Sequence, residues 1–295
     1  MPTTRPPYTY ERSVKSDVSD ELVNVWLQRP LAGLVTRAVY STPLTPNHLT
    51  IIALVFGIAG GMLLASDGAK LTAAAICFYL KDVFDSADGQ LARAKQLYSR
   101  GGRFLDSIGD FVVNLFLFGG IFIALHHDGT SLFGALIISI IGFLGVSLRV
   151  SYHVFYQTSY LHSRNEYLTN RTTEDFRKED YSEDKVTMGL QRVFLVLYGW
   201  QDNLMKRLDG WSSRKVRLAS VMSPAQWYGD ETGLRLGGFL GIGTEFVLLT
   251  ASLLLDSLWL YLFISMIVLN GVWIVTMYYR RVVLAKKMLE AGGTG

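Results

Sequence analysis

The sequence predicts an all-α fold: a polytopic integral membrane protein with six transmembrane helices and further interfacial helices on the cytoplasmic side. Three observations carry this prediction. Half of the 295 residues are hydrophobic while 18% are charged, which suits one membrane domain joined to a sizeable polar segment. Six apolar runs, near 48–66, 70–91, 103–125, 131–156, 236–255 and 258–279, approach or exceed the ~20 residues that a helix needs to cross a bilayer. Lys and Arg are distributed unevenly. Apart from Lys70, nearly all fall in the N-terminal segment, 93–103, 157–235 and the 280–287 tail. The positive-inside rule then places both termini on the cytoplasmic side.

Composition narrows the function classes. A net charge of +3 makes no electrostatic case for nucleic acid. The single cysteine, Cys77, excludes an intrachain disulfide. Residues 1–20 carry no apolar stretch, so no cleavable signal peptide is expected.

Taken in order, residues 1–45 form a cytoplasmic N-terminal segment. From 18 to 40, Val18, Leu22, Val25, Trp26 and Leu34 alternate with Asp20, Glu21, Arg29 and Arg37. This is the pattern of a helix lying on the membrane surface or packed on the domain, and Pro30 is expected to interrupt it. The membrane domain runs from 46 to 295. It opens at Thr45-Pro46-Asn47-His48, where proline favours the first turn of a helix. Residues 157–230 are a cytoplasmic insertion between helices 4 and 5. In it Leu190, Val193, Leu197, Trp200, Leu204, Leu208 and Trp211 recur every three or four residues. That stripe marks an amphipathic helix suited to the membrane interface or to a partner. Asn170-Arg171-Thr172 matches a glycosylation sequon that a cytoplasmic placement makes idle.

The chemistry concentrates between the second and third runs. Asp85, Asp88, Gly89, Ala92 and Arg93 share one helical face, and Gly102, Asp106 and Asp110 recur every four residues on the next helix. A short turn between them sets the acidic faces opposite each other. Carboxylates beside a membrane interior are costly and signal function. Four together repel unless cations compensate them, and two divalent ions would cancel four charges. All-oxygen ligation suits Mg2+ or Mn2+, and such a pair clamps displacement at phosphorus. Gly89 and Ala92 leave room on the acidic face. Arg93 reaches a phosphate oxygen, and the helix that begins at Gly101-Gly102 offers phosphate its N-terminus.

The pattern D-x2-D-G-x2-A-R-x8-G-x3-D-x3-D, with all eight fixed positions present, resembles the signature of the CDP-alcohol phosphotransferase family. The Pro46-Asn47 element before the first spanning helix is a weaker match. The resemblance implies transfer of a phosphoalcohol unit from a CDP-linked donor to an alcohol acceptor, with release of CMP and usually in phospholipid synthesis. Some members make inositol phosphodiesters. It implies that Asp85, Asp88, Asp106 and Asp110 hold the metal ions, that Asp88, Gly89, Ala92, Arg93 and Gly102 bind the donor, and that Asp110 is the base. It also implies a homodimer among membrane lipids. The donor is either CDP-diacylglycerol or a CDP-headgroup. A transporter of divalent cations is the non-enzymatic alternative, although the four acids all lie at one end of the bundle.

Polar residues deeper in the bundle are the remaining candidates. Basic groups on the later helices, Arg149, Arg235 and Arg280, suit a phosphate on the acceptor or simple anchoring at the interface. Glu245 and Asn270 fall at similar depth and are expected to pair. Asn114, one turn past Asp110, is placed to orient it. Lys81 and Asp82 precede the motif by a turn and receive no role.

Overall fold

A computed structural model describes residues 7–14, 20, 21, 23–66, 70–164, 171 and 173–292. Val18 and Leu22 of the expected surface helix, and Asn170 and Thr172 of the sequon, lie outside the described residues. Among the described residues every regular element is helical.

Helix α1 (Arg29–Val39) is preceded without a break by a π-helical turn, Asn24–Gln28. Pro30 therefore does not interrupt the surface helix. The wider π turn precedes the proline and accommodates its missing N–H and its ring. Ala32 and Thr36 are buried, and the Thr36 hydroxyl donates to the Ala87 carbonyl at 3.3 Å. Trp26 and Leu34 remain exposed.

Helices α2 (Pro46–Leu64), α3 (Leu71–Lys95) and α4 (Arg100–His127) form the centre. α2 starts as expected, with Pro46 in the first turn and Thr45 Oγ1 paired to His48 Nδ1 at 2.7 Å. α2 and α4 meet backbone to backbone. A Cβ on Gly61 would stand 2.5 Å from the Phe116 carbonyl oxygen, the close approach that small residues permit between helices in lipid. Leu64, Phe78, Val113, Leu117, Ile121 and Phe246 fill the core behind this crossing.

Helix α5 (Leu132–Ser163) returns to the end that carries the acids. Its 32 residues make a rod of ~48 Å, longer than the ~30 Å hydrocarbon core. A 3-10 turn, Lys178–Ser182, leads into α6 (Lys185–Leu218), one continuous helix of 34 residues. Helix α6 thus extends beyond the 190–211 stripe at both ends. Asp184 starts α6 by accepting from the amides of Val186 and Thr187 at 2.9 and 3.0 Å.

After α7 (Pro224–Tyr228) and α8 (Glu231–Gly238), the fifth expected run proves to be broken. Residues 239–241 leave the helix and α9 (Ile242–Leu254) begins anew. Glycines 237, 238, 241 and 243 favour the break. Glu21 fills it, accepting from the Thr244 amide at 2.7 Å and the Gly243 amide at 3.2 Å. The last stretch joins α10 (Leu258–Phe263), α11 (Asn270–Tyr278) and α12 (Ala285–Gly292) through π-helical turns at Ile264–Leu269 and Tyr279–Leu284.

Among the described residues, five stretches are long and apolar enough to cross a membrane: Pro46–Leu64, Arg100–His127, Leu132–Ser163, Pro224–Leu254 and Leu258–Ala291. The expected run at 70–91, within α3, is not among them. α3 has the length, but Lys81, Asp82, Asp85 and Asp88 interrupt its hydropathy. α1, α2 and α9 all pack against it. Phe133, Ile137, Ile140 and Leu144 on α5, and Phe263, Ile267, Ile274 and Tyr278 on the last stretch, point outward. Exposed apolar surface of that extent suits lipid rather than water.

Candidate active site

The lower ends of α3 and α4 set the acidic faces opposite each other. Asp85, Asp88 and Asp106 each present an oxygen within 4.8 Å of the others. Asp106 Oδ1 is buried without a hydrogen-bond partner among the described residues. A buried carboxylate oxygen without a donor needs a cation or an unseen ligand, so this trio fits a divalent metal.

Asp110, one turn further along α4, does not join the trio. It accepts from Lys81 Nζ at 2.5 Å, and the same ammonium lies 3.3 Å from Asp85. Lys81 is 1% exposed. It therefore compensates part of the acidic charge from within the protein. Its spacing four residues before Asp85 was the available signal, since i and i+4 share a helix face. Thr50 on α2 is a second residue that motif reading missed. Its hydroxyl donates to Asp88 Oδ2 at 2.5 Å, and nothing in the local sequence marks it. Asn114 keeps its buried Oδ1 without a partner among the described residues, so that oxygen makes no hydrogen bond to Asp110.

A cleft of about 570 Å3 opens beside the trio, a volume suited to a small molecule. Asp88, Gly89, Ala92, Arg93, Gly102 and Asp106 line it. Asp85 and Asp110 lie behind it, next to Lys81. Arg93 Nε donates to the Ser13 carbonyl at 2.5 Å, so the N-terminal segment holds this arginine at the wall. A Cβ on Gly89 would stand 3.4 Å from the Arg93 guanidinium. The start of α4 is partly capped already: the Gly102 amide donates to Ser99 Oγ at 2.9 Å.

The insertion also reaches the cleft, through Glu183, Asp184 and Thr187. An ionic lattice ties it down. Arg100 donates to Asp180 at 2.6 Å and to Glu174 at 2.9 Å, Arg103 also donates to Glu174, and Arg171 grips Asp180 at 2.8 Å. Hydrogen bonds led by Arg171 hold the Asp180 carboxyl far below the usual carboxylate range. The acid-rich run 174–184 opposite the basic 93–103 was the sequence signal for this contact.

The three arginines expected at the acceptor do not converge, and none lines the cleft. Arg149 is buried on Asn270 at 2.7 Å, Ser265 at 2.8 Å and Glu245 at 2.9 Å. Glu245 and Asn270 are thus bridged by Arg149 rather than paired directly. Arg235 is exposed and lies 3.4 Å from Glu231. Arg280 is fully buried over the Tyr156 ring, 3.8 Å from its centroid, and donates to the Trp227 carbonyl at 3.1 Å.

Comparison with known proteins agrees with this geometry. A stretch of 103 residues is 30% identical to the "Bifunctional IPC transferase and DIPP synthase" of Thermococcus kodakarensis. It makes up 35% of this chain and 23% of that protein, so the chain spans under a quarter of the curated relative it matches. The family model for CDP-alcohol phosphatidyltransferase matches residues 43–222, from just before α2 to just beyond α6, with the acidic trio and its cleft inside. With most of its length matched, the chain belongs to the CDP-alcohol phosphatidyltransferase family.

Proposed function

We propose that the protein transfers a phosphoalcohol unit from a CDP-linked donor to an acceptor hydroxyl and releases CMP, in phospholipid biosynthesis. The observation that carries this is the convergence of Asp85, Asp88 and Asp106 beside a cleft lined by Gly89, Ala92, Arg93 and Gly102, in a chain of this family. The family works with divalent metal. Asp85, Asp88 and Asp106, with Asp110 behind them, would hold Mg2+ or Mn2+, two ions in this reading. Bound there, the metal screens the charge of the donor diphosphate.

The chain's own groups do the rest. Arg93 and the start of α4 contact phosphate oxygens. The acceptor oxygen attacks the phosphorus, the P–O bond to CMP breaks, and Asp110 takes the hydroxyl proton. Lys81 holds Asp110 in place. For the acceptor's own phosphate or headgroup, Arg280 is the best supported of the three arginines, because its Nε and Nη2 are buried without hydrogen-bond partners among the described residues. Arg149 is already ion-paired, and Arg235 suits anchoring.

In this reading residues 1–45 are a surface segment and 46–295 one membrane domain. α3 is the sixth crossing, its polar end shielded by its neighbours. The site and both termini face the cytoplasm, and the protein is a homodimer. The donor is CDP-diacylglycerol or a CDP-headgroup, and an inositol phosphodiester is the alternative product of the same chemistry. The test is CMP release from each donor class by the purified protein with Mg2+ or Mn2+ and a panel of alcohols, with mass spectrometry of the product. No CMP from any pairing, together with Mn2+ uptake into vesicles, would replace the enzyme with a transporter.

A further inference from the structure

We infer that a second cavity, far from the active cleft, binds a phosphate group. The cavity holds about 670 Å3 and lies between the last turns of α5, the second half of α6 and the start of α7. α6 is unbroken from Lys185 to Leu218. Thr187 near its start lines the active cleft, whereas Lys206, Asp209, Gly210 and Arg217 line the second cavity. Along the helix Thr187 and Asp209 are about 33 Å apart at 1.5 Å per residue. A ligand here is therefore no part of the reacting pair, and the inference does not rest on the reaction proposed above.

The lining suits a phosphate. Lys206, Arg217 and His162 bring basic groups and Ser159 brings a hydroxyl, while the hydroxyl protons of Ser163 and Tyr228 go to the Tyr160 carbonyl and to Asp209. The one acid, Asp209, is 3% exposed and already saturated. Its Oδ1 accepts from Trp227 Nε1 at 2.8 Å and Tyr156 at 3.1 Å, and its Oδ2 from Tyr228 at 3.0 Å and Arg217 at 3.3 Å. That carboxylate fastens the wall, which leaves the rim cationic. Half of the Arg217 side chain, 51%, is open to solvent.

Gly210 lies on the same wall. Glycine inside a helix costs about 1 kcal/mol against alanine, yet nothing lies within 4 Å of where its Cβ would stand. Packing does not require it. What it provides is an open floor where a ligand meets bare backbone. Of the charged residues on this part of α6, Lys206, Asp209 and Arg217 line the cavity. The apolar wall comes from Phe155 on α5, a helix whose length carries its end out of the hydrocarbon. This combination fits the phosphate of an anionic phospholipid, and the same chemistry would take a soluble phosphate monoester.

The experiment uses the full chain in detergent with EDTA, so that metal in the acidic cleft binds no phosphate. Inorganic phosphate and dioctanoyl phosphatidylglycerol are titrated separately by calorimetry into the wild type, Gly210→Leu and Lys206→Ala. Saturable binding to the wild type, weakened about 10-fold or more in both variants (a shift of about 1.4 kcal/mol), supports the site. Binding of the lipid alone assigns a membrane ligand, and displacement of the lipid by phosphate assigns a soluble one. Melting temperatures report whether the variants fold. If Gly210→Leu does not, Lys206→Ala, an exposed position, decides alone. No saturable binding to the wild type, or equal binding in the folded variants, overturns the inference.

Discussion

Asp106 is the residue on which the metal assignment turns, because its Oδ1 is buried without a partner among the described residues. Asp106→Ala should remove Mn2+ binding, read by the loss of bound Mn2+ in an electron paramagnetic resonance titration, and abolish turnover while the protein stays folded. Retention of full activity in EDTA would sink the assignment. Asp110 stands apart from the trio, so its neutral isostere should separate two roles. Asp110→Asn should bind the CDP donor normally while single-turnover rates fall by about 10²–10⁴-fold, the usual contribution of a general base. Donor affinity lost in step with rate would make it a ligand instead. Lys81 supplies the internal counter-charge to Asp85 and Asp110. Lys81→Met leaves the partly buried Asp85 and Asp110 carboxylates without their counter-charge and should lower stability by up to about 3–5 kcal/mol, the cost at a fully buried pair, a loss that saturating Mn2+ narrows in a thermal melt. The acids, glycines and Arg93 were legible because fixed spacing on a helix encodes a shared face. Thr50 was not, since its partner Asp88 is on another helix and only tertiary packing joins them.

The order of the apolar runs was legible, but five of the six expected, among the described residues, are long and apolar enough to cross, and their interruptions were less legible. Hydropathy averages over a window, so the broken fifth run and the π turns of the last stretch look continuous in sequence. Pro30 shows the opposite error, because local propensity exaggerates a proline that a π turn can accommodate. The break before α9 carries its own test. Burial pushes the Glu21 carboxyl up from the ordinary 4.5 to about 7; the Thr244 and Gly243 amides oppose the rise and Asp20 adds to it. A carboxyl whose pKa is raised on folding favours the fold when protonated. Its contribution is complete below about 4.5 and is lost as pH rises through about 7, up to about 3 kcal/mol in all. The detergent-solubilised protein should therefore melt at a higher temperature at pH 5 than at pH 8. Glu21→Gln, which mimics the protonated form, should flatten that dependence, and an unchanged slope in the variant would assign the effect elsewhere.

At the scale of the whole molecule, every feature of the proposed reaction lies at one end of the bundle. The trio, the cleft, the ionic lattice of Arg100, Arg103, Glu174 and Asp180, and the start of α6 share that end. The turn after His127 lies at the other. In the proposed reading the first end faces the cytoplasm, where CMP is released, and the excess of Lys and Arg at that end argues the same. The expected orientation rests on charge asymmetry and hydrophobic length, which are summed properties that tolerate local errors. Single cysteines test it after Cys77, the one native thiol, is replaced by serine. Leu97→Cys and Ser182→Cys are exposed positions at the acidic end, and Asp128→Cys is exposed in the opposite turn. In intact cells a membrane-impermeant maleimide should label only Asp128→Cys, and the other two should react once the membrane is opened. If α3 failed to cross, Leu97→Cys and Asp128→Cys would both change sides relative to a tag placed before α2. Labelling of Leu97→Cys from outside would reverse the orientation and close the proposed route for the nucleotide, whatever the chemistry of the acids.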